Sequence, residues 1–193
     1  MANELERILR FLKELDEGIT ADVPLDLYLV GGGAITLAYD HENRTADLNF
    51  IDPPTDFEKR RGKDSPLALK HGIYVSSVYA INLTIPNDWR NRCQLLDIPM
   101  KRLRIFVASV EDIVLGKLAR MEPKDLEDIF SLYDHHLLDP NKIIDRLRQN
   151  KKELQKPEYR NNVKLLFGEI FKLKIKFARG NIAIEFRMKK KES

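Results

Sequence analysis

The segment LVGGGAITLAYDHENRTADLNF, residues 29–50, constrains this chain more than any other. A short apolar run, DLYLV at 26–30, feeds directly into Gly31, Gly32 and Gly33 and reads as a buried strand ending at a tight turn. Residues 34–40 have helical composition, HENRT is a polar loop, and ADLNFI alternates like a short strand that Pro53 and Pro54 terminate. Strand, glycine turn, helix, loop and strand thus fit within about 25 residues, too few for a full crossover with ordinary loops on both sides. The two strands are therefore expected to be neighbours in a small mixed sheet.

The flanking sequence extends this plan. Leu5, Ile8, Leu9, Leu12 and Leu15 mark one face of a helix over 3–17, which Gly18 stops. Residues 55–71 are dense in charge and predict an exposed helix or a mobile loop around Gly62. VSSVYAINLTIP at 75–86 is β-branched and apolar, enough for one or two strands, and Pro86, Asn87 and Asp88 turn the chain into a short WRNRC segment. QLLDI and LRIFVA, with Pro99 between them, are further candidate strands. From Ser109 the composition becomes helical. SVED is a capping box with Ser109 as N-cap and Asp112 in place of the usual Glu, Pro123 starts a second helix, and Asp139-Pro140 a third. Val163, Leu165, Leu166, Ile170, Phe171, Leu173, Ile175 and Phe177 predict a long closing helix over 157–177, which NIAIEFRM extends or follows as a last strand. The expected fold class is α/β (α+β), with a sheet-bearing core over 1–108 and a helical C-terminal region over 109–193 packed on it as a single unit.

Bulk properties narrow the function. A mean hydropathy of −0.39 with 43% hydrophobic and 33% charged residues describes an ordinary globular chain, not a disordered or fibrous one. The net charge of +3 excludes wholesale attraction to nucleic acid, although residues 142–193 are basic and end in Arg187, Lys189, Lys190 and Lys191. That tail reads as a solvated terminus or a weak phosphate contact. Cys93 is the single cysteine, so no intramolecular disulfide or cysteine-based zinc site is available. MANELERILRFLKEL has no apolar signal region and no apolar run approaches a membrane span, so a cytoplasmic location without membrane association is the expectation.

The chemistry concentrates where the chain is most constrained. Glycines between a strand and a helix let backbone N–H groups approach a phosphate, and the helix N-terminus favours negative charge. GGGA fits neither the dinucleotide fingerprint nor the P-loop, so the turn alone specifies no ligand. In RTADLNF, Asp47 and Asn49 lie two apart on a strand and project to one face. Two oxygen ligands facing a glycine turn suit magnesium-dependent phosphoryl or nucleotidyl transfer.

The order Gly-Gly, short helix, then Arg-Thr-x-Asp-h-Asp on a strand resembles the polymerase-β-type nucleotidyltransferase superfamily, and within it the small AbiEii-like toxin nucleotidyltransferases and their uncharacterised relatives. SVEDIVLGKLARMEPKDLEDIFSL at 109–132 is similar to a second stretch of that branch, with Glu111, Asp112, Lys117, Arg120, Lys124, Asp125 and Asp128 in the matching order. Together the two stretches cover most of residues 25–135. The resemblance implies that Gly31, Gly32 and Gly33 hold the triphosphate of an NTP, with Arg44 and Thr45 steadying it. It implies Asp47 and Asn49 as ligands of Mg2+ or Mn2+, Lys117 as a phosphate neutraliser, and Asp125, or else Asp128, as the completing acid. It also implies tRNA or a protein as acceptor and an antitoxin as partner.

Asn49 stands where the family pattern has a second aspartate, and it removes one negative charge from the metal site. Asn82, on the apolar stretch 75–86, stands where a third carboxylate is sought, which leaves Asp97 as the remaining candidate. Two functions stay open: a working transferase, and a catalytically impaired nucleotide-binding or regulatory module of the same fold. Simpler readings stand beside the site residues too. Lys117 could snorkel from an apolar helix, and Trp89 with Arg90 and Arg92 could be a packing tryptophan beside solvated arginines.

Overall fold

The structure, a computed structural model, describes residues 3–20, 22–55, 57–178 and 181–186. The basic residues Arg187, Lys189, Lys190 and Lys191 lie outside them. The chain divides into two compact units, residues 1–83 with 87–113, and residues 84–86 with 114–193.

In the first unit, α1 (Glu4–Glu17) opens with Asn3 capping the amide of Glu6 at 2.8 Å and buries Ile8, Phe11, Leu12 and Leu15. Strand β1 (Leu25–Val30) follows, then α2 (Gly31–Ala38) and β2 (Asp47–Ile51). Short helices α3 (Phe57–Arg61) and α4 (Pro66–His71) occupy the charged stretch, and Gly72, at φ +64°, ends α4. Strands β3 (Tyr74–Val78), β4 (Gln94–Leu95) and β5 (Leu103–Val107) complete a five-stranded sheet in the order β3-β2-β1-β5-β4. β1 pairs antiparallel with β2 and parallel with β5, β2 pairs parallel with β3, and β4 is antiparallel to β5, so the sheet is mixed. The two strands flanking the glycines are direct neighbours.

Period-two alternation sorts the faces of this sheet. Leu27, Leu29, Leu48, Phe50, Val75, Leu103, Ile105 and Val107 are buried, and α2 packs against β1 and β2. Register carries Asp47, Asn49, Val30, Tyr28 and Phe106 to the other, less covered face. Asp16, near the end of α1, ties that helix to β5. Its carboxylate is about 5% exposed and accepts the backbone N–H groups of Lys101, Arg102 and Leu103 at 2.8–2.9 Å. Burial alone would raise its pKa, but these three hydrogen bonds outweigh that and hold it below the usual carboxylate range.

The helical stretch comprises α5 (Val110–Leu118), α6 (Pro123–Asp134), α7 (Pro140–Gln149) and α8 (Pro157–Leu165). Ser109 caps α5 through its hydroxyl, which lies 3.3 Å from the amide of Asp112. In the second unit the core is built from Val114, Leu115, Leu118, Ile129, Leu132, Ile143, Leu147, Val163, Leu166 and Phe167. The buried Tyr159 and half-buried Asn162 of α8 donate to the last-turn carbonyls of Leu115 and Leu118 in α5.

Two expectations are corrected and one is narrowed. The closing helix does not run to 177. It ends in α8, continues as one π-helical turn over Leu166–Ile170, and gives way to the antiparallel hairpin β6 (Leu173–Ala178) and β7 (Asn181–Phe186). Lys172, at φ +56°, breaks the helix, and beyond it Leu173, Ile175 and Phe177 alternate with Lys174 and Lys176, a strand period within a helix-rich region. The 75–86 stretch, read as one or two strands, yields one, β3, and Asp52 accepts the amide of Ala80 at 3.0 Å before a 3-10 turn at Ala80–Asn82. Finally, no separate turn connects β1 to α2: the glycines are the first turn of the helix itself.

Replacing Asp16 with alanine is expected to lower unfolding stability at neutral pH by about 3 kcal/mol, from the loss of charge-assisted bonds to three backbone amides, that of Leu103 buried. Because the folded pKa of Asp16 is depressed, its contribution is present above its unfolded pKa of about 3.9 and is lost as pH falls through the folded value. Urea midpoints of the native and Asp16→Ala chains should therefore converge as the pH is taken below about 4. A constant difference down to the acid limit would refute this role.

Candidate nucleotide site

The junction between β1 and α2 sets the geometry. Val30 is still extended, and Gly31 enters the helix at φ +73°, a backbone that costs a side chain strain. The glycines then lie against β2 and the residues before it. A Cβ on Gly31 would sit 3.3 Å from Nδ2 of Asn49, one on Gly32 would sit 3.1 Å from Oγ1 of Thr45, and one on Gly33 would meet Cδ2 of Leu48 at 2.6 Å. The first turn of α2, whose amides have no partner within the helix, is thereby laid beside Asp47.

Asp47 is half-buried. The Thr45 hydroxyl donates to its Oδ1 at 3.0 Å, and Nδ2 of Asn49 donates to its Oδ2 at 2.8 Å. The structure thus brings Gly31, Gly32, Gly33, Thr45, Asp47 and Asn49 together. Arg44 is exposed in the loop just before them. Asp97 follows β4 at the edge beyond β5, three strand spacings from β2, or roughly 14 Å. It is too far to share an ion with Asp47.

Two residues that the sequence left unmarked anchor this loop. Glu4 pairs with Arg7 one turn along α1. Oε1 of Glu4 accepts the amide of Thr45 at 3.1 Å, and Nη2 of Arg7 donates to the carbonyl of Thr45 at 3.1 Å. Both backbone groups of Thr45 are thereby fixed, which aims its hydroxyl at Asp47. In sequence, Glu4 and Arg7 belong to the polar side of an amphipathic helix, where no local signal separates an anchor from a solvated charge.

Lys117 and Asp125 lie in the second unit and engage each other. Nζ of Lys117 is 3.1 Å from Oδ1 of Asp125 and 2.5 Å from Oδ2 of Asp128. Arg120 makes a two-pronged contact with Asp125 at 2.8 Å, and Lys124 reaches Oδ1 of Asp128 at 3.0 Å. Lys117 is only 7% exposed, so it does not snorkel to solvent. Burial would push the Asp125 carboxyl up, but Arg120 and Lys117 together hold it below the usual range.

The WRNRC segment resolves as packing. Trp89 is buried edge-on against Tyr28, and Arg90 covers the Trp89 ring at 4.6 Å. Arg92 forks onto the buried Asp112 at 2.7 and 2.9 Å, a fixed pair rather than a phosphate contact. Burial pushes the Cys93 thiol up to about 11, so it remains a neutral, unreactive thiol at physiological pH.

A small mixed sheet that sets a glycine helix junction beside an Asp-Leu-Asn strand defines a nucleotidyltransferase-like α+β protein. A family model described as "Nucleotidyltransferase of unknown function (DUF6036)" matches residues 4–176, and the chain belongs to that family. No curated protein and no solved structure matches the chain. Among the described residues, no helix is long and apolar enough to cross a membrane.

The donor set also bears on metal. One carboxylate and one amide oxygen suit a single hydrated Mg2+ or Mn2+ shared with substrate phosphates. Among the described residues, no group of three or more His, Cys, Asp or Glu forms a cage for an ion held by protein alone.

Gly33→Ala should destabilise the chain by about 1–3 kcal/mol, since Leu48 and the backbone of Asp47 must move to admit a methyl group. Lys117→Met should cost about 3 kcal/mol, at the low end for a broken buried pair because Arg120 and Lys124 still touch the two carboxylates. Urea unfolding of each variant measures both losses as a shift in midpoint at constant slope. An unshifted midpoint for either variant contradicts the packing described for it.

Proposed function

We propose that this protein transfers a nucleoside monophosphate from an NTP to an RNA or protein acceptor, using Mg2+ or Mn2+ held by Asp47 with Asn49. The observation that carries this reading is the convergence of Asp47, Asn49 and Thr45 on the glycine-built first turn of α2. In the reaction, an acceptor hydroxyl attacks the α-phosphorus, the bond from that phosphorus to the bridging oxygen breaks, and pyrophosphate leaves with the electron pair. A bound divalent ion supplies charge neutralisation on the phosphates. The amides at the start of α2, which have no partner within the helix, present donors and positive potential to the triphosphate. Thr45, fixed by Glu4 and Arg7, orients the Asp47 carboxylate.

Asp125 is fully buried between two cations that depress its pKa, which makes it a weak base. We therefore give it, with Lys117, a structural part in this reading. The acceptor proton passes to solvent. The resemblance to AbiEii-like toxin nucleotidyltransferases supports a toxin–antitoxin setting, with a cytoplasmic location and an antitoxin partner.

The bond from the Asn49 amide to Asp47 favours a second reading. It occupies a lone pair of the carboxylate and leaves one negative charge where two would bind metal more tightly. Under that reading the site binds nucleotide and turns nothing over. Incubation with each α-labelled NTP, magnesium, and total RNA or protein separates the two. Label should enter one acceptor fraction and fall by about 10²-fold or more in Asp47→Asn. Nucleotide binding without any transfer, relieved by Asn49→Asp, would instead establish the second reading.

A further inference from the structure

A groove of about 650 Å³ runs between α8 with its π-helical turn and strand β6. Arg160, Lys164, Lys174 and Lys176 line it, together with Asn161 and Phe177, and among the described residues that line it none is a carboxylate. Arg160 and Lys164 are one helical turn apart and project to the same side, while Lys174 and Lys176 are two apart on the strand. The ammonium of Lys164 lies 6.0 Å from the centre of the half-buried Phe177 ring. Gly168 continues the Arg160–Lys164 row and leaves the floor open, since a Cβ there would meet nothing within 4 Å. Glu185 stands across from Lys174 in the hairpin register, so the Arg160–Lys164 side carries the argument more than the strand does.

A cationic row beside an aromatic ring that lines the groove suits a polyanion that also presents flat rings. Phosphates follow the charges, and an unpaired base can stack on the ring, whereas a duplex keeps its bases paired and stacked away from it. We propose that this groove binds single-stranded nucleic acid. As the seat of an acceptor strand the inference rests on the transferase reading. As a binding site it does not, so binding is measured without NTP or metal.

The test is fluorescence anisotropy on the full chain with labelled RNA and DNA single strands of about 12 nucleotides, within the span of one single-strand-binding fold, and with an RNA duplex. The native chain should bind the single strands, with affinity falling as salt rises. Arg160→Glu with Lys164→Glu should weaken binding at least tenfold and flatten the log–log salt slope by about 1.4, two phosphate contacts at ~0.7 each. Phe177→Ala should weaken binding by about tenfold. Phe177→Leu, which preserves packing, should show most of that loss, and circular dichroism of each variant checks that it is folded. Lys13→Glu with Lys63→Glu changes net charge equally at exposed sites elsewhere and should have much less effect. A preference between RNA and DNA identifies the strand that the groove serves, and either supports the site. Equal losses in the control pair, equal binding of duplex, equal competition by heparin with no effect at Phe177, or no binding at all would each overturn it.

Discussion

The first turn of α2 lies so close to β2 that no side chain fits between them. Gly33 marks the tightest point, with Leu48 where a Cβ would be. From this approach follows the absence of any linking residue between β1 and α2, the left-handed backbone at Gly31, and the antiparallel pairing of β1 with β2. It also places the first-turn amides of α2, which have no partner within the helix, near Thr45 and Asn49, the two residues that donate to the Asp47 carboxylate. A side chain at Gly33 would displace Leu48, and one at Gly31 or Gly32 would crowd Asn49 or Thr45.

The molecule treats its carboxylates in two ways. Asp112, Asp125 and Asp128 are buried and neutralised by arginine or lysine, and Asp16 is buried under three backbone amides. These groups hold elements together. Asp47 is different. It is half-open and touched by one hydroxyl and one amide, so its charge is oriented without being cancelled. An oriented, uncancelled anion beside donor amides can hold a cation and a phosphate at once. That balance makes this corner of the sheet the candidate centre, and Asn49 tempers it by supplying a neutral donor where a second anion would repel the first.

Much of the site was legible because its signals are local. The glycine run, the two-residue spacing of Asp47 and Asn49, and the short distance between their strands all lie within one segment, and the strand neighbours follow from chain length alone. The anchoring by Glu4 and Arg7 was not legible, because it joins residues some forty positions apart and looks like any polar helix face. The last strand, β7, was one of two readings of NIAIEFRM, but its partner β6 was missed for another reason. Val163 to Ile170 carry a helical pattern, and the change to alternation at Leu173 occurs without a glycine or proline to announce it; the backbone at Lys172 makes the break.

The sequence by itself determined the strand–glycine–helix–strand unit, the mixed sheet and the pair of residues that face it, since each depends on periodicity, chain reach and the absence of side chains. Only the tertiary structure decided what the charges do. A lysine or aspartate pattern on a helix is the same whether its partner is water, phosphate or another helix. The fold resolved it by burying Lys117 against Asp125 and Asp128, closing Arg92 onto Asp112, and leaving Asp47 half-open. Burial and distance, which a linear pattern does not contain, made that selection.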